Sequence, residues 1–147
     1  RQEFQVGGRT FHNPRFATPS GKLRVSVPPT TTFRVGPGEF RLMTVRSEGQ
    51  FNTVVYEDED LYRGTSRRDV VMMSAEDGQR LGLSEGDGVT VSTGVGEMRA
   101  QHVAFVDIPP GNLAMYYPEA NVLIPRRVDA ASGTPAFKSV AVRLKRA

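Results

Sequence analysis

Within eight residues, from Arg46 to Thr53, the chain sets out Arg46, Ser47, Gly49, Gln50, Phe51, Asn52 and Thr53. One loop thus carries a guanidinium, two hydroxyls, two amides, a flexible glycine and an aromatic ring. A cation beside several hydrogen-bonding groups suits a phosphate ester, and the ring suits a flat heterocycle. An ordinary polar turn would use many of the same residue types, so this stretch has to be weighed with the rest of the chain.

A second set follows much later. Tyr116-Tyr117-Pro118-Glu119-Ala120-Asn121 is succeeded by Asp129, Ser132, Gly133, Pro135, Phe137 and Lys138. Aromatic faces, an amide expected to be buried and a lysine just ahead of the last strand could hold the edge of a fused-ring base and an anionic linker. Taken singly, these residues have a plainer account, with the tyrosines in a core and Asn121 capping a turn.

Other chemistries find little support. The histidines are His12 and His102, which lack the spacing of a metal pair. No Gly-x-Ser-x-Gly elbow is present, and with no cysteine the chain offers no disulfide, thiolate ligand or iron–sulfur ligation. The acidic run Glu57, Asp58, Glu59 and Asp60, followed by Arg63, Arg67 and Arg68, lacks calcium-ligand spacing and reads as a solvated loop. Nineteen basic against 16 acidic side chains leave a charge of +3, too small and scattered to argue for a nucleic-acid partner. No apolar run reaches membrane-spanning length, so a soluble, cytoplasmic chain with no membrane partner is expected.

The elements that must position these groups are short. Hydrophobic residues make up 38% of the 147, with 15 glycines and 10 prolines, which favours strands and turns in one domain with a real core. Residues 1–38 hold Pro14, Pro19, Pro28, Pro29 and Pro37 and read as an extended linker or the end of a preceding domain, with a short strand at Lys22 to Val27. Residues 39–147 read as the barrel domain. In it, Leu42, Met43 and Val45 form a buried strand feeding the first loop, and Thr53 to Tyr56 is rich in strand formers. Asp69 to Met73 forms another strand. Ser74 caps a helix with Asp77 three residues on, and Gly82 ends it. Val89 and Val91 alternate with polar residues, Gly94-Val95-Gly96 turns the chain, and Glu97 to Phe105 returns as a hairpin. Leu113 to Tyr116 is a strand, Pro118 opens a helical turn, and Phe137 to Leu144 closes the sheet. This order fits a β-barrel with one or two short helices better than a parallel sheet.

The runs LMTVRSEGQFNT, MMSAEDGQRLGLSEGDGVTV, PGNLAMYYPEANVLIP and VDAASGTPAFKSVAVRL, in this order, resemble the C-terminal cofactor domain of molybdopterin oxidoreductases. The likeness is greatest to the formate-dehydrogenase-like alpha subunit and covers Phe40 to Leu144, with PRFATPSGKLRV similar to the join before that domain. The resemblance implies a double-psi β-barrel of six strands with short helices, packed against the remaining domains of the same oxidoreductase. It implies a grip on bis(molybdopterin guanine dinucleotide) carrying molybdenum or tungsten, shared with those domains. Carried onto matching positions, Arg46, Ser47, Gly49, Gln50, Phe51, Asn52 and Thr53 would lie along a pterin or its pyrophosphate. Asn121 and Lys138 would face the cofactor, with Tyr117 and Glu119 near by. Many relatives place a histidine, tryptophan, histidine cluster where this chain has Gln50, Phe51 and Asn52, so no imidazole titrates here. The metal ligand belongs to other domains, so no residue of this chain is expected to be catalytic or to bind metal. A stand-alone peptide- or protein-binding barrel is the competing reading.

Overall fold

In the computed structural model, residues 16–29, 32–51, 57–130 and 132–147 are described. The chain divides into two compact units, 1–32 and 33–147. In the first, a turn at residues 18–22 is closed by the Gly21 amide on the Thr18 carbonyl and the Thr18 hydroxyl on the Lys22 carbonyl. The strand expected at Lys22 to Val27 is not formed. Leu23, Val25 and Val27 are exposed there, so no buried face rewards pairing.

The second unit is a closed six-stranded double-psi β-barrel. Its elements are β1 (Glu39–Val45), β2 (Val70–Met73), helix α1 (Ala75–Leu81), β3 (Gly88–Ser92), β4 (Glu97–Phe105), β5 (Asn112–Tyr116), a 3-10 turn (Glu119–Leu123) and β6 (Val140–Arg146). Around the barrel the strands run β1, β5, β2, β4, β3, β6. Closure leaves none of these six strands with an open edge. Two pairs are parallel, β1 with β5 and β2 with β4.

Strand alternation sorts the apolar residues into two clusters. Phe40, Leu42, Val71, Met73, Val89, Val91, Leu113, Met115 and Val142 fill one, while Val70, Met72, Ala104, Ala114 and Tyr116 form the other. β2 is buried on both faces, which is why it reads as an unbroken apolar run. Met43 and Val45, expected to be buried with Leu42, are half-buried against the second cluster, because successive side chains point to opposite faces. The α1 caps are as expected: the Ser74 hydroxyl accepts from the Asp77 amide at 3.1 Å, and Gly82 adopts a left-handed conformation.

The hairpin expected at Gly94-Val95-Gly96 joins β3 to β4. Gly96 has a second duty, since a Cβ there would lie 2.1 Å from the Val122 carbonyl oxygen in the 3-10 turn. At Gly94 a Cβ would meet nothing within 4 Å. Gly96→Ala should therefore destabilise the chain by about 1–3 kcal/mol, the usual cost of overpacking. Gly94→Ala should stay within ~0.5 kcal/mol of the parent. Urea unfolding of the two variants checks the difference, and equal midpoints would contradict the packing described.

Candidate functional site

Parallel pairing decides where the site lies. Val45 is in register with Tyr116, so the chain leaves β1 and β5 side by side at one end of the barrel. The Tyr117 amide donates to the Val45 carbonyl at 2.8 Å, continuing the ladder by one residue. The approach to β6 joins them, with the Thr44 amide donating to the Phe137 carbonyl at 2.9 Å and the Lys138 amine donating to the Thr44 carbonyl. Three segments distant in sequence thus meet at the end of β1.

Arg46 is exposed, with its guanidinium 5.8 Å from the Tyr117 ring centroid. Neither Arg46 nor Lys138 has a carboxylate partner among the described residues. Burial pushes the Lys138 ammonium below the usual lysine range, and the charges of Arg46 and Arg63 push it further the same way. The cluster is therefore a small concentration of positive charge. Phe51, close to Arg46 in sequence, is 73% exposed. Asn52 and Thr53 lie outside the described residues.

Other predicted residues face inward. Gly49 turns the loop at φ +71°, a left-handed conformation suited to glycine. Ser47 and Gln50 are buried, with Gln50 Nε2 donating to the Tyr117 carbonyl at 2.7 Å and Gln50 Oε1 accepting from the Ser47 amide at 3.2 Å. The Gln50 amide is spent on holding the two loops together. Asn121, expected as a buried amide, is exposed on the 3-10 turn, and no side-chain contact joins it to Arg46 or Lys138 among the described residues. Proline at the head of that turn leaves the backbone, through the Asn121 amide on the Pro118 carbonyl, to close it.

Sequence reasoning missed the group that organises all of this. The run from Glu57 to Arg68 is not simply a solvated loop, because Asp60 and Arg68 are buried. Arg68 donates to Glu119 through Nε at 2.6 Å and Nη2 at 3.0 Å, to Ser47 Oγ at 2.8 Å and to the Tyr117 carbonyl at 2.7 Å. Its guanidinium lies 4.6 Å from the Tyr116 ring centroid. Burial pushes the Glu119 carboxyl up, but the Arg68 hydrogen bonds and charge outweigh it and hold the group below its ordinary value. Arg63 works alongside: it pairs with Asp60 and donates to the Arg46 carbonyl at 2.9 Å. Tyr116 donates to Asp60 at 2.8 Å and so accepts from the Thr65 hydroxyl. The available signal was the placement of Arg67-Arg68 directly before the apolar run of β2, where the chain is entering the core.

Two residues fit a polyanionic, ring-bearing group, since Arg46 and Lys138 offer unneutralised charge. A third fits its donors: Glu48 Oε2 is buried with no hydrogen-bond partner among the described residues, an acceptor able to receive the amino edge of a heterocycle. Among the described residues no cluster of three or more His, Asp or Glu side chains could hold a metal.

Removing Arg68 would leave Glu119 without its cation and strip donors from Ser47 and the Tyr117 carbonyl. Breaking a fully buried pair costs about 3–5 kcal/mol. The Glu119 side chain is 31% exposed, so solvent screening reduces this, and Arg68→Ala should lose roughly 2–3 kcal/mol in urea unfolding. Because the Glu119 carboxyl is depressed in the folded chain, its stabilisation is present above the ordinary carboxylate pKa and disappears as pH falls through the folded value. Glu119→Gln should accordingly flatten the acid side of the stability–pH curve, and an unchanged slope would count against the pairing.

The chain matches the family described as "Molydopterin dinucleotide binding domain" over residues 40–141. It is 39% identical over 149 residues to the "Uncharacterized oxidoreductase Rv2900c" of Mycobacterium tuberculosis, covering 91% of this chain and 19% of that protein. It is 32% identical over 146 residues to "Protein YdeP" of Escherichia coli K12, covering 89% and 19%. The chain thus spans about a fifth of the length of these curated relatives. Among solved structures, acetylene hydratase from Pelobacter acetylenicus superposes with a TM-score of 0.55 at 16% identity, over 74% of this chain and 18% of that one, a likeness of fold. With the barrel and the family match in agreement, this chain belongs to the molybdopterin dinucleotide binding domain family, and it corresponds to one domain of larger oxidoreductase-type proteins.

Proposed function

We propose that the chain is the cofactor-gripping barrel of a molybdenum- or tungsten-dependent oxidoreductase of the formate-dehydrogenase-like branch. The ligand is bis(molybdopterin guanine dinucleotide), held jointly with the other domains of the same protein. The observation that carries this reading is the meeting of Arg46 and Lys138 at the end of β1 with no carboxylate paired to either among the described residues. Holding two such cations together is unfavourable in the free chain, and a pyrophosphate relieves it.

In this reading the residues divide into those that face the ligand and those that hold them. Arg46, stacked near Tyr117, presents a planar fork of N–H donors to phosphate oxygens, while Lys138 supplies a point charge. Phe51, Asn52, Thr53 and Asn121 complete the ligand side, with Glu48 accepting from a ring amino group. Ser47 and Glu119 fix the loops from behind through Arg68, Gln50 does so through the Tyr117 carbonyl, and Gly49 turns the first loop. When bound, the cofactor supplies metal-centred electron transfer to a small substrate such as formate or another carboxylate or oxyanion. The chain itself contributes charge, orientation and a rigid seat.

In the full-length oxidoreductase, Arg46→Ala should lower molybdenum (or tungsten) and pterin content while leaving the fold intact. The loss corresponds to about 1.5–3 kcal/mol of charge-assisted hydrogen bonding, roughly ten- to hundredfold in affinity. Unchanged metal and pterin content would overturn the assignment. Proton linkage gives a further check. Because the free Lys138 ammonium is depressed, anion binding above that lowered pKa must recapture a proton, so affinity falls as pH rises through it. Calorimetry of the chain with inorganic pyrophosphate should show this alkaline loss in the parent and its absence in Lys138→Arg, and identical profiles would exclude Lys138 from the site.

A further inference from the structure

We propose that a cleft of about 650 Å³, lined by Asp58, Ser66, Arg67, Asp69, Met98 and Gln101, is a second binding site. Its ligand is the guanidinium or ammonium head of a basic side chain carried by polypeptide beyond these 147 residues. The cleft shares the Arg68–Glu119 wall with the support of the cofactor grip, but Asp58 and Gln101, the groups argued to bind here, are not part of that grip, and the proposal does not depend on that function.

Gln101 carries unmet hydrogen-bonding capacity among the described residues. It is 7% exposed, and its Nε2 donates to the Arg99 carbonyl at 2.9 Å. That bond fixes the amide so that Oε1 is the remaining acceptor, and Oε1 is buried with no partner among the described residues. An acceptor left without a donor inside a protein is costly, so a donor that enters the cleft gains what the folded chain lacks.

The backbone places this group on purpose. The register of β3 and β4 shifts between Val89 and Val91, and Ala100, next to Gln101, sits at φ +53°. A bulge re-aims a side chain, and a non-glycine residue in the left-handed region is strained, a combination found beside binding sites.

Charge identifies the visitor. Arg67 is paired with Asp69, and Arg68 with Glu119, which leaves Asp58 as the lining carboxylate without an ion pair among the described residues. A cleft with one uncompensated carboxylate and one orphan acceptor receives a cation that carries N–H donors. Half-buried Met98 offers apolar surface to an aliphatic stem, as lysine and arginine require. Curated relatives are about five times the length of this chain, so a protein of that kind has polypeptide available to supply the side chain.

The test begins with the 147-residue chain and agmatine as the probe, followed by the side-chain amide resonance of Gln101, with sodium acetate in parallel. Agmatine should shift that resonance with a dissociation constant on the order of millimolar. Calorimetric titration with agmatine should show Gln101→Glu binding more tightly and Gln101→Met more weakly than the parent, each roughly tenfold, the effect of one charge-assisted hydrogen bond. In the full-length protein, a cysteine introduced by Ser66→Cys should be protected from maleimide, while the same variant of the isolated chain reacts freely. Response of Gln101 to acetate but not to agmatine, affinities that do not change across the Gln101 variants, or equal maleimide labelling in both contexts would overturn the proposal.

Discussion

A single buried guanidinium ties together segments that the strand ladders alone would leave loosely joined. Arg68 enters from the start of β2 and bonds the loop after β1 through Ser47, and the loop after β5 through the Tyr117 carbonyl and Glu119. Its burial is tolerable because each edge of its planar fork meets an acceptor and its face meets the Tyr116 ring. Parallel pairing of β1 and β5 brings the two loops to one end of the barrel, and this cross-bridge, together with the Gln50 amide on the Tyr117 carbonyl, converts adjacency into a fixed arrangement. Arg63 repeats the device on a smaller scale, anchored by Asp60 and Tyr116 and holding the Arg46 carbonyl.

The consequence for function is a division of labour between support and presentation. Gln50 and Ser47 are consumed in holding the loop, which leaves Arg46 and Phe51 exposed, with the Lys138 ammonium seated on the Thr44 carbonyl. Under the proposed function, this arrangement lets a domain of modest size seat a polyanion with few direct contacts, because the entropy of ordering those contacts has been met by folding. The same barrel elsewhere carries a register shift, a left-handed Ala100 and, at Gln101, an acceptor unmet among the described residues.

Much of the fold was legible in the sequence because it rests on local rules. Alternation at Val89 and Val91, the Ser74 cap, the left-handed Gly82 and the turn at Gly94-Val95-Gly96 each follow from short-range chemistry, and the structure has all of them. The order of elements narrowed the fold to a β-barrel, and the family resemblance supplied its six-stranded double-psi form. What escaped was long-range and electrostatic. Asp60 and Arg68 sit in a charged run that looks solvated, and their burial depends on partners 56 and 51 residues away, Tyr116 and Glu119. Asn121 failed for the converse reason, since an amide beside two tyrosines looks core-bound, while the 3-10 turn directs it outward.

The central claim is that the loops after β1 and β5 behave as one mechanical unit because Arg68 locks them together. Native-state amide exchange reads this directly, comparing the Ser47 and Gln50 amides with that of Tyr117 in the parent chain and in Arg68→Met. The account predicts that the three amides share one opening free energy in the parent and that all three lose protection together in the variant. Independent opening of the two loops in the parent, or loss of protection confined to one of them in Arg68→Met, would contradict it.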